Sequence, residues 1–158
     1  MLIVLEGCDG TGKTTLANKL ALILGAEIIH CTTKTPNTAW FFENIIEMSK
    51  TRNIIADRFC YGQFVYQEPE ERKVTKDELY TLELDMMNAG ARVIYVDASE
   101  ADIKKRLNAR GEVTTKPIGY IREKYESLWK ESILSITVMY ASVDNKEDSY
   151  FEYRYNKE

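Results

Sequence analysis

The chain has 158 residues, of which 44% are hydrophobic and 29% are charged, and its net charge is −4 with a pI of about 5.2. This length fits one compact domain, residues 1–158, and is too short for two. No block of Lys and Arg stands out, so we expect no nucleic-acid partner. The N-terminus has neither a basic leader nor a long apolar segment. We therefore expect a cytoplasmic protein without a membrane partner.

The predicted elements alternate along the chain. The first is the continuous apolar run Leu2–Leu5, which is too short for a helix and predicts a buried parallel strand. Further strands are predicted at residues 27–31, 53–57, 92–97 and 150–155. Helices are predicted at residues 14–24, 40–48, 59–67, 75–87, 99–110 and from Pro117 as far as Met139. Strands that alternate with helices predict an α/β fold with a mostly parallel sheet of about five strands, covered by helices on both faces.

A glycine-rich loop follows the first strand and precedes a helix. Its pattern, Gly7-x4-Gly12-Lys13-Thr14, is Walker A in its expected context. The glycines let backbone N–H groups turn inward and cradle phosphate oxygens. The predicted ATP-binding residues are Gly7, Cys8, Asp9, Gly10, Thr11, Gly12, Lys13, Thr14 and Thr15. The loop predicts a three-layer P-loop NTPase sandwich that binds ATP.

Two side chains of this loop carry chemistry. Lys13 supplies a positive charge to the β- and γ-phosphates, and the Thr14 hydroxyl suits Mg²⁺. Asp57 ends the third predicted strand, where it faces the loop, so we expect it to hold Mg²⁺ through water. The loop alone does not separate a kinase from a GTPase or a motor. A Ras-type GTPase needs a longer domain, so the length favours a kinase.

Several motifs together resemble the thymidylate kinase family. The run Leu5-Glu6-Gly7-Cys8-Asp9-Gly10-Thr11-Gly12-Lys13-Thr14-Thr15 is similar to the family's E-G-x-D-G-x-G-K-T-T loop. Asp57-Arg58-Phe59 resembles its D-R-[YFH] motif, and Tyr66-Gln67 its Tyr-Gln pair. Arg106-x3-Arg110-Gly111-Glu112 and Arg122-x-x-Tyr125 resemble its lid entry and the following helix. The chain is shorter than is usual for the family, which a compact, virus-encoded member would explain.

The resemblance implies an acceptor site opposite the loop. Arg58 would grip the acceptor phosphate with its planar fork. Lys34 stands where the family often has an Arg that binds the same phosphate. Asp9 would contact the sugar 3′-hydroxyl, and Tyr66 would lie beneath the deoxyribose.

Other residues are candidates for binding the base. The Gln63 amide lies one turn before Tyr66 and would pair with a pyrimidine edge. Trp40 or Phe41 would stack on the base, although aromatic residues at helical spacing also suit a core.

The catalytic arginine is expected in a short lid around residues 106–117. The phosphate loop has Gly10-Thr11 where some family members place an Arg, so Arg106 and Arg110 join Lys13 and Arg58 as the predicted catalytic residues. They would stabilise charge on the migrating phosphoryl group.

The leading hypothesis is ATP- and Mg²⁺-dependent phosphorylation of a deoxypyrimidine monophosphate, with dTMP going to dTDP. One alternative is a deoxynucleoside kinase in which Glu6 acts as the base on a 5′-hydroxyl. Another is a nucleotide-binding regulatory module without turnover. The resemblance also implies a homodimer.

Overall fold

The computed structural model describes residues 1–141 and 150–155, with side chains through residue 140. The strands are β1 (Leu2–Glu6), β2 (Glu27–His30), β3 (Ile54–Asp57), β4 (Arg92–Asp97), β5 (Ile136–Ala141) and β6 (Tyr150–Tyr155). The helices are α1 (Lys13–Leu24), α2 (Ala39–Met48), α3 (Gly62–Tyr66), α4 (Lys76–Asn88), α5 (Glu100–Ala109) and α6 (Ile118–Glu131), with a 3₁₀ turn at Pro69–Glu71. None of the helices in this part of the chain has the length and apolarity that a bilayer span requires.

One sheet organises these elements in the order β2-β3-β1-β4-β5-β6. The first five strands of that order are parallel, and β6 runs antiparallel to β5. The central strand β1 is buried along its whole length, as its apolar run predicts. The predicted α/β class with a mostly parallel sheet is therefore confirmed.

The two faces of the sheet are covered by different helices. On one face, α1 packs through Leu16 and Ala17 against Ile3, Leu5 and Ile55. On the other face, α2, α4 and α6 contribute the larger core. The three layers leave the carboxyl ends of the parallel strands at one edge of the sheet, and the phosphate loop leaves β1 at that edge.

The prediction that the last long helix reaches Met139 is wrong. The helix ends at Glu131, and a further parallel strand, β5, begins at Ile136. The buried carboxylate of Glu83 in α4 accepts hydrogen bonds from the Ser132 hydroxyl and from the Ile133 backbone N–H, which turns the chain out of the helix. The β-branched run that follows suits a pleated, half-buried surface and pairs with β4.

The predicted helix at residues 59–67 is also too long, because α3 covers only Gly62–Tyr66. Arg58 has a φ of 69°, and the N–H of Phe59 donates to the Glu6 side chain. These two features hold the chain out of helical geometry until it has passed the end of the sheet. The capping box at Thr75 and Glu78, by contrast, forms as the sequence predicts.

Gly7 is required by the close approach of β1 to β4. Its φ is 148°, and a Cβ at this position would lie 2.2 Å from the carbonyl oxygen of Val96. We expect Gly7→Ala to lower the free energy of unfolding by about 3 kcal/mol or more, since it adds both a clash and backbone strain. Urea denaturation followed by circular dichroism measures this loss.

The matched control is Gly90→Ala, because Gly90 has a φ of 67° but no neighbouring atom within 4 Å of the place that a Cβ would take. An alanine there should lower the free energy of unfolding by about 1–2 kcal/mol, because it adds only the strain of a left-handed backbone conformation. Equal losses for the two variants would contradict the role of the Val96 contact.

Candidate functional site

The phosphate loop joins β1 to α1 at the centre of the sheet edge. Gly10 and Gly12 adopt left-handed φ values of 83° and 92°, and Lys13 is the first residue of α1. The first turn of α1 contains no acidic residue, so its free N–H groups and helix dipole favour an anion. The loop borders a cavity of about 130 Å³ that Thr14 and Thr15 also line. This geometry suits the phosphates of a nucleotide.

Lys13 is buried at the floor of this loop. Its Nζ donates to the Cys8 carbonyl oxygen at 2.9 Å, and burial lowers the pKa of Lys13 to about 8. A phosphate brought beside it would raise this pKa and stabilise the charged form. The Thr11 side chain is buried, and its hydroxyl donates to the same Cys8 carbonyl oxygen at 2.8 Å. Cys8 itself is buried, and burial raises the pKa of its thiol, so it fills space in the loop.

Two arginines, one in α5 and one at its C-terminal end, face the loop. Arg106 Nη1 donates to the Gly10 carbonyl oxygen at 3.3 Å. Arg110 lines the phosphate-loop cavity, and its guanidinium lies 3.6 Å from Glu112. A side chain at Gly10 would lie 3.1 Å from Leu107, so α5 occupies the space that an arginine on the loop would need.

Arg58 lies between β3 and α3, at the edge where the loop begins. Its backbone N–H donates to the Leu5 carbonyl at 2.9 Å, and this contact accompanies its left-handed φ. Its Nη1 donates to the Gly7 carbonyl at 3.2 Å, and its Nη2 donates to the carboxylate of Asp9. The guanidinium therefore points along the phosphate loop and not into solvent.

The carboxylate of Glu6 anchors this arrangement. Glu6 is fully buried, its Oε1 accepts from the Phe59 N–H at 2.8 Å, and its Oε2 accepts from the Tyr125 hydroxyl at 2.9 Å. Burial raises the pKa of Glu6 to about 7, although Arg58 nearby and the two hydrogen bonds oppose this shift. Tyr125 comes from α6, so one carboxylate connects three parts of the chain.

Asp57 ends β3, and its carboxylate is nearly buried. Parallel pairing of β2 and β3 places it beside His30, whose Nδ1 lies 3.0 Å from Asp57 Oδ2. Within the described residues, no three His, Cys, Asp or Glu side chains group as a metal site. Mg²⁺ in phosphotransfer sites usually takes one or two protein ligands plus substrate phosphates, so the exposed Thr14 hydroxyl and Asp57 fit that mode.

A larger cleft of about 430 Å³ opens on the other side of Arg58. Asp9, Gln63 and Tyr66, three of the predicted substrate-binding residues, line it together with Phe59 and Gln67. The Tyr66 hydroxyl and the Gln67 Oε1 are buried without a hydrogen-bond partner in the described part of the chain. Asp9 lines both this cleft and the phosphate-loop cavity, so the two cavities meet at that residue.

Three residues predicted to bind the acceptor lie elsewhere. Trp40 is 71% exposed and borders a groove between α2 and α4, because α2 turns Phe42 and its neighbours into the core. Phe41 packs edge-on against Phe42, with ring centroids 5.2 Å apart. Neither ring lines the cleft, so the prediction that Trp40 or Phe41 stacks on the base is wrong. Lys34 is exposed in the turn before α2, and its neighbour Thr33 lines the cleft instead.

The sequence does not predict the roles of two other residues near the site. Phe59, within Asp57-Arg58-Phe59, lies on the cleft wall and packs on Phe42 at 4.6 Å between ring centroids. Asp97 ends β4 and is paired with Arg122 of α6 through two bonds of 3.0 and 3.1 Å. The position of Asp97 at a strand end was the available signal for that pair.

The strand order, the phosphate loop and the arginines facing it place the chain among α/β proteins with the P-loop kinase fold. The chain belongs to the family of YorR, the SPβ prophage-derived protein of Bacillus subtilis (strain 168). The two are 35% identical over 135 residues, which are 80% of this chain and 81% of YorR.

Solved structures agree with this placement. A crystal structure of YorR in complex with phosphorylated GDP matches with a TM-score of 0.73 and 29% identity, over 87% of this chain and 84% of that one. Deoxyadenosine kinase from M. mycoides matches with a TM-score of 0.52 and 18% identity, over 92% of each chain. Thymidylate kinase from Candida albicans matches with a TM-score of 0.51 and 15% identity, over 88% of this chain and 82% of that one. These last two share the fold alone. No protein-family profile matches the chain.

The buried Glu6 predicts a specific pH dependence of stability. Its pKa is about 7 in the folded protein and 4.5 for an ordinary carboxyl group, so the folded state binds the proton more tightly. Its contribution to stability is therefore fully present below pH 4.5 and is lost as the pH rises through 7. We expect a loss of about 3 kcal/mol across this window, at 1.36 kcal/mol per pKa unit.

Urea denaturation of the wild type and of Glu6→Gln between pH 4.5 and 8 measures the effect. The amide oxygen can accept from the Phe59 N–H, and the amide NH₂ group can donate to the Tyr125 hydroxyl oxygen, which reverses the direction of that bond. Because the amide does not titrate, its stability curve should lack this slope. Glu43→Gln, an exposed change on α2, should keep the wild-type slope. Parallel curves for Glu6→Gln and the wild type would refute the assignment.

Proposed function

We propose that this protein transfers the γ-phosphoryl group of ATP to the phosphate of a deoxynucleoside monophosphate, with dTMP as the leading acceptor. The observation that carries the proposal is the meeting of two cavities at Asp9, with Arg58 beside it. One cavity suits the phosphates of a donor, and the other has room for an acceptor nucleotide. An oxygen of the acceptor phosphate would attack the γ-phosphorus, and ADP would leave.

The donor side is formed by the phosphate loop and α5. Lys13 would pair with the β- and γ-phosphates, and Arg106 and Arg110 would neutralise charge on the group in transit. Thr14 and Asp57 would hold Mg²⁺, which when bound neutralises charge on the β- and γ-phosphate oxygens.

On the acceptor side, Arg58 is oriented before any substrate arrives. Its Nη1 is taken by the Gly7 carbonyl and lies 3.5 Å from the Tyr125 hydroxyl, and one N–H of Nη2 is taken by Asp9. The guanidinium would bind the acceptor phosphate with its remaining N–H groups. A side chain fixed in this way loses little entropy when it binds.

The geometry weighs against the deoxynucleoside kinase alternative. A general base must reach the hydroxyl whose proton it takes. Glu6 is fully buried, and each of its oxygens already accepts a hydrogen bond, from the Phe59 N–H or the Tyr125 hydroxyl. Glu6 therefore suits a structural role, and an acceptor that brings its own phosphate needs no such base.

A guanine nucleotide is the second candidate for the donor. YorR was crystallised with phosphorylated GDP. In addition, Asn145-Lys146-Glu147-Asp148 has the N-K-x-D order of the base-reading motif of Ras-type GTPases. That segment lies outside the described residues. The donor is therefore tested with GTP beside ATP.

A nucleotide-acceptor assay tests the proposal. We expect ADP or GDP to form with dTMP and not with thymidine, because Arg58 needs a phosphate to bind. Lys13→Met should lower kcat at least about 100-fold, the usual cost of removing one group that stabilises the transition state. Lys50→Met, an exposed change just after α2, is the matched control and should keep full activity.

Two outcomes would contradict the proposal. Turnover with thymidine but not with dTMP would identify a kinase that acts on a 5′-hydroxyl. Nucleotide binding without diphosphate release for any acceptor would identify a regulatory module.

A further inference from the structure

The side-chain amide of Gln63 has one fixed orientation in the wall of the acceptor cleft. Its Oε1 accepts from the backbone N–H groups of Lys73 and Val74 at 2.8 and 3.1 Å. Its Nε2 donates to the Asn37 carbonyl oxygen at 2.6 Å. Rotating the amide by half a turn would set an NH₂ group against two N–H donors and an oxygen against a carbonyl. The hydrogen bonds therefore determine which end is the nitrogen.

This arrangement leaves Gln63 with a donor and no acceptor to offer a ligand. Both lone-pair directions of Oε1 are used by backbone N–H groups. Nε2 carries two protons, and in the described part of the chain only the Asn37 carbonyl accepts one of them. Gln63 lines the cleft and is 7% exposed. Its remaining N–H is the polar group that this side chain can present there.

Gln67 complements Gln63 from the next turn. Gln67 is the residue at which α3 ends, and its backbone N–H donates to the Gln63 carbonyl at 3.1 Å, one helical turn earlier. Gln67 also lines the cleft, and its Oε1 is buried without a hydrogen-bond partner in the described residues. This oxygen lacks a hydrogen-bond donor, and a ring N–H of a ligand base would supply one.

We propose that the acceptor cleft selects nucleotides whose base has a lactam edge, meaning a ring carbonyl beside a ring N–H. Thymine, uracil and guanine have this edge, whereas cytosine and adenine have an amino group beside an unprotonated ring nitrogen. The carbonyl accepts from Gln63 and the ring N–H donates to Gln67. This inference rests on the proposed function, since it names the bases which that site accepts.

The selection works mainly by exclusion. An amino group facing Gln63 would set donor against donor, and both groups would be buried without partners. Sites built to hydrogen-bond a ligand reject analogues that leave such groups unpaired. We expect discrimination of at least about 10-fold between lactam and amino bases.

Binding and turnover are measured separately on the full chain. Calorimetry gives Kd for dTMP, dUMP, dGMP, dCMP and dAMP, and the coupled assay gives kcat/KM for the same five. Wild-type protein should bind the first three at least about 10-fold more tightly than the last two. Lactam-selective binding without turnover would overturn the proposed kinase activity but support the base selection. Turnover with equal preference for all five would do the reverse.

Two variants test whether Gln63 and Gln67 cause this base selection. Gln63→Glu keeps an oxygen for the Lys73 and Val74 N–H groups, and in its protonated form the other oxygen donates to the Asn37 carbonyl. That hydroxyl oxygen presents a lone pair to the cleft and no second proton, so the preference should shift toward dCMP and dAMP. Gln67→Leu leaves every bond of Gln63 in place and should weaken binding of dTMP and dGMP while leaving dCMP and dAMP unchanged. Asn88→Asp, an exposed change on α4, controls for the replacement of an amide by an acid. An unchanged preference in both variants, with folding verified by circular dichroism, would refute the assignment.

Discussion

The carboxylate of Glu6 holds together the three segments from which the site is built. It lies at the end of the central strand, immediately before the phosphate loop, and it binds the backbone of Phe59 and the hydroxyl of Tyr125. Burying a carboxyl group is costly unless hydrogen bonds satisfy its oxygens, and here each oxygen accepts one. The raised pKa of Glu6 is the electrostatic cost of that position. In return, the loop, the β3–α3 connection and α6 keep fixed relative positions.

The two halves of the site depend on this anchor. Because Phe59 is held at Glu6, Arg58 takes its left-handed conformation and directs its guanidinium toward Gly7 and Asp9. The donor cavity then lies on one side of Asp9 and the acceptor cleft on the other. In the proposed reaction, charge neutralisation would come from both sides, from Lys13 and α5 on the donor side and from Arg58 on the acceptor side. Phosphoryl transfer needs such positioning more than it needs covalent chemistry.

The sequence predicts the elements whose signals are local. The apolar run of β1, the glycine-rich loop and the capping box at Thr75 each contain their own physical cause, and the structure has all three. It does not predict β5, because a short apolar run beside a helix is ambiguous until its pairing with β4 is known. It places Trp40 wrongly, since the side of α2 that faces the core depends on the whole sheet. The orientation of the Gln63 amide also depends on Lys73, Val74 and Asn37, which only the fold brings near it.

In the proposed reaction, two nucleotides bind side by side, with their phosphates meeting near Asp9. The most direct measurement is calorimetric titration with a bisubstrate compound in which adenosine and thymidine are joined through five phosphates. We expect one compound per chain, bound at least about 100-fold more tightly than ATP or dTMP alone, because one molecule then gains the contacts of both sites. We also expect the bound compound to exclude both ATP and dTMP. Binding no tighter than that of ATP, with dTMP still able to bind, would contradict the two-nucleotide site.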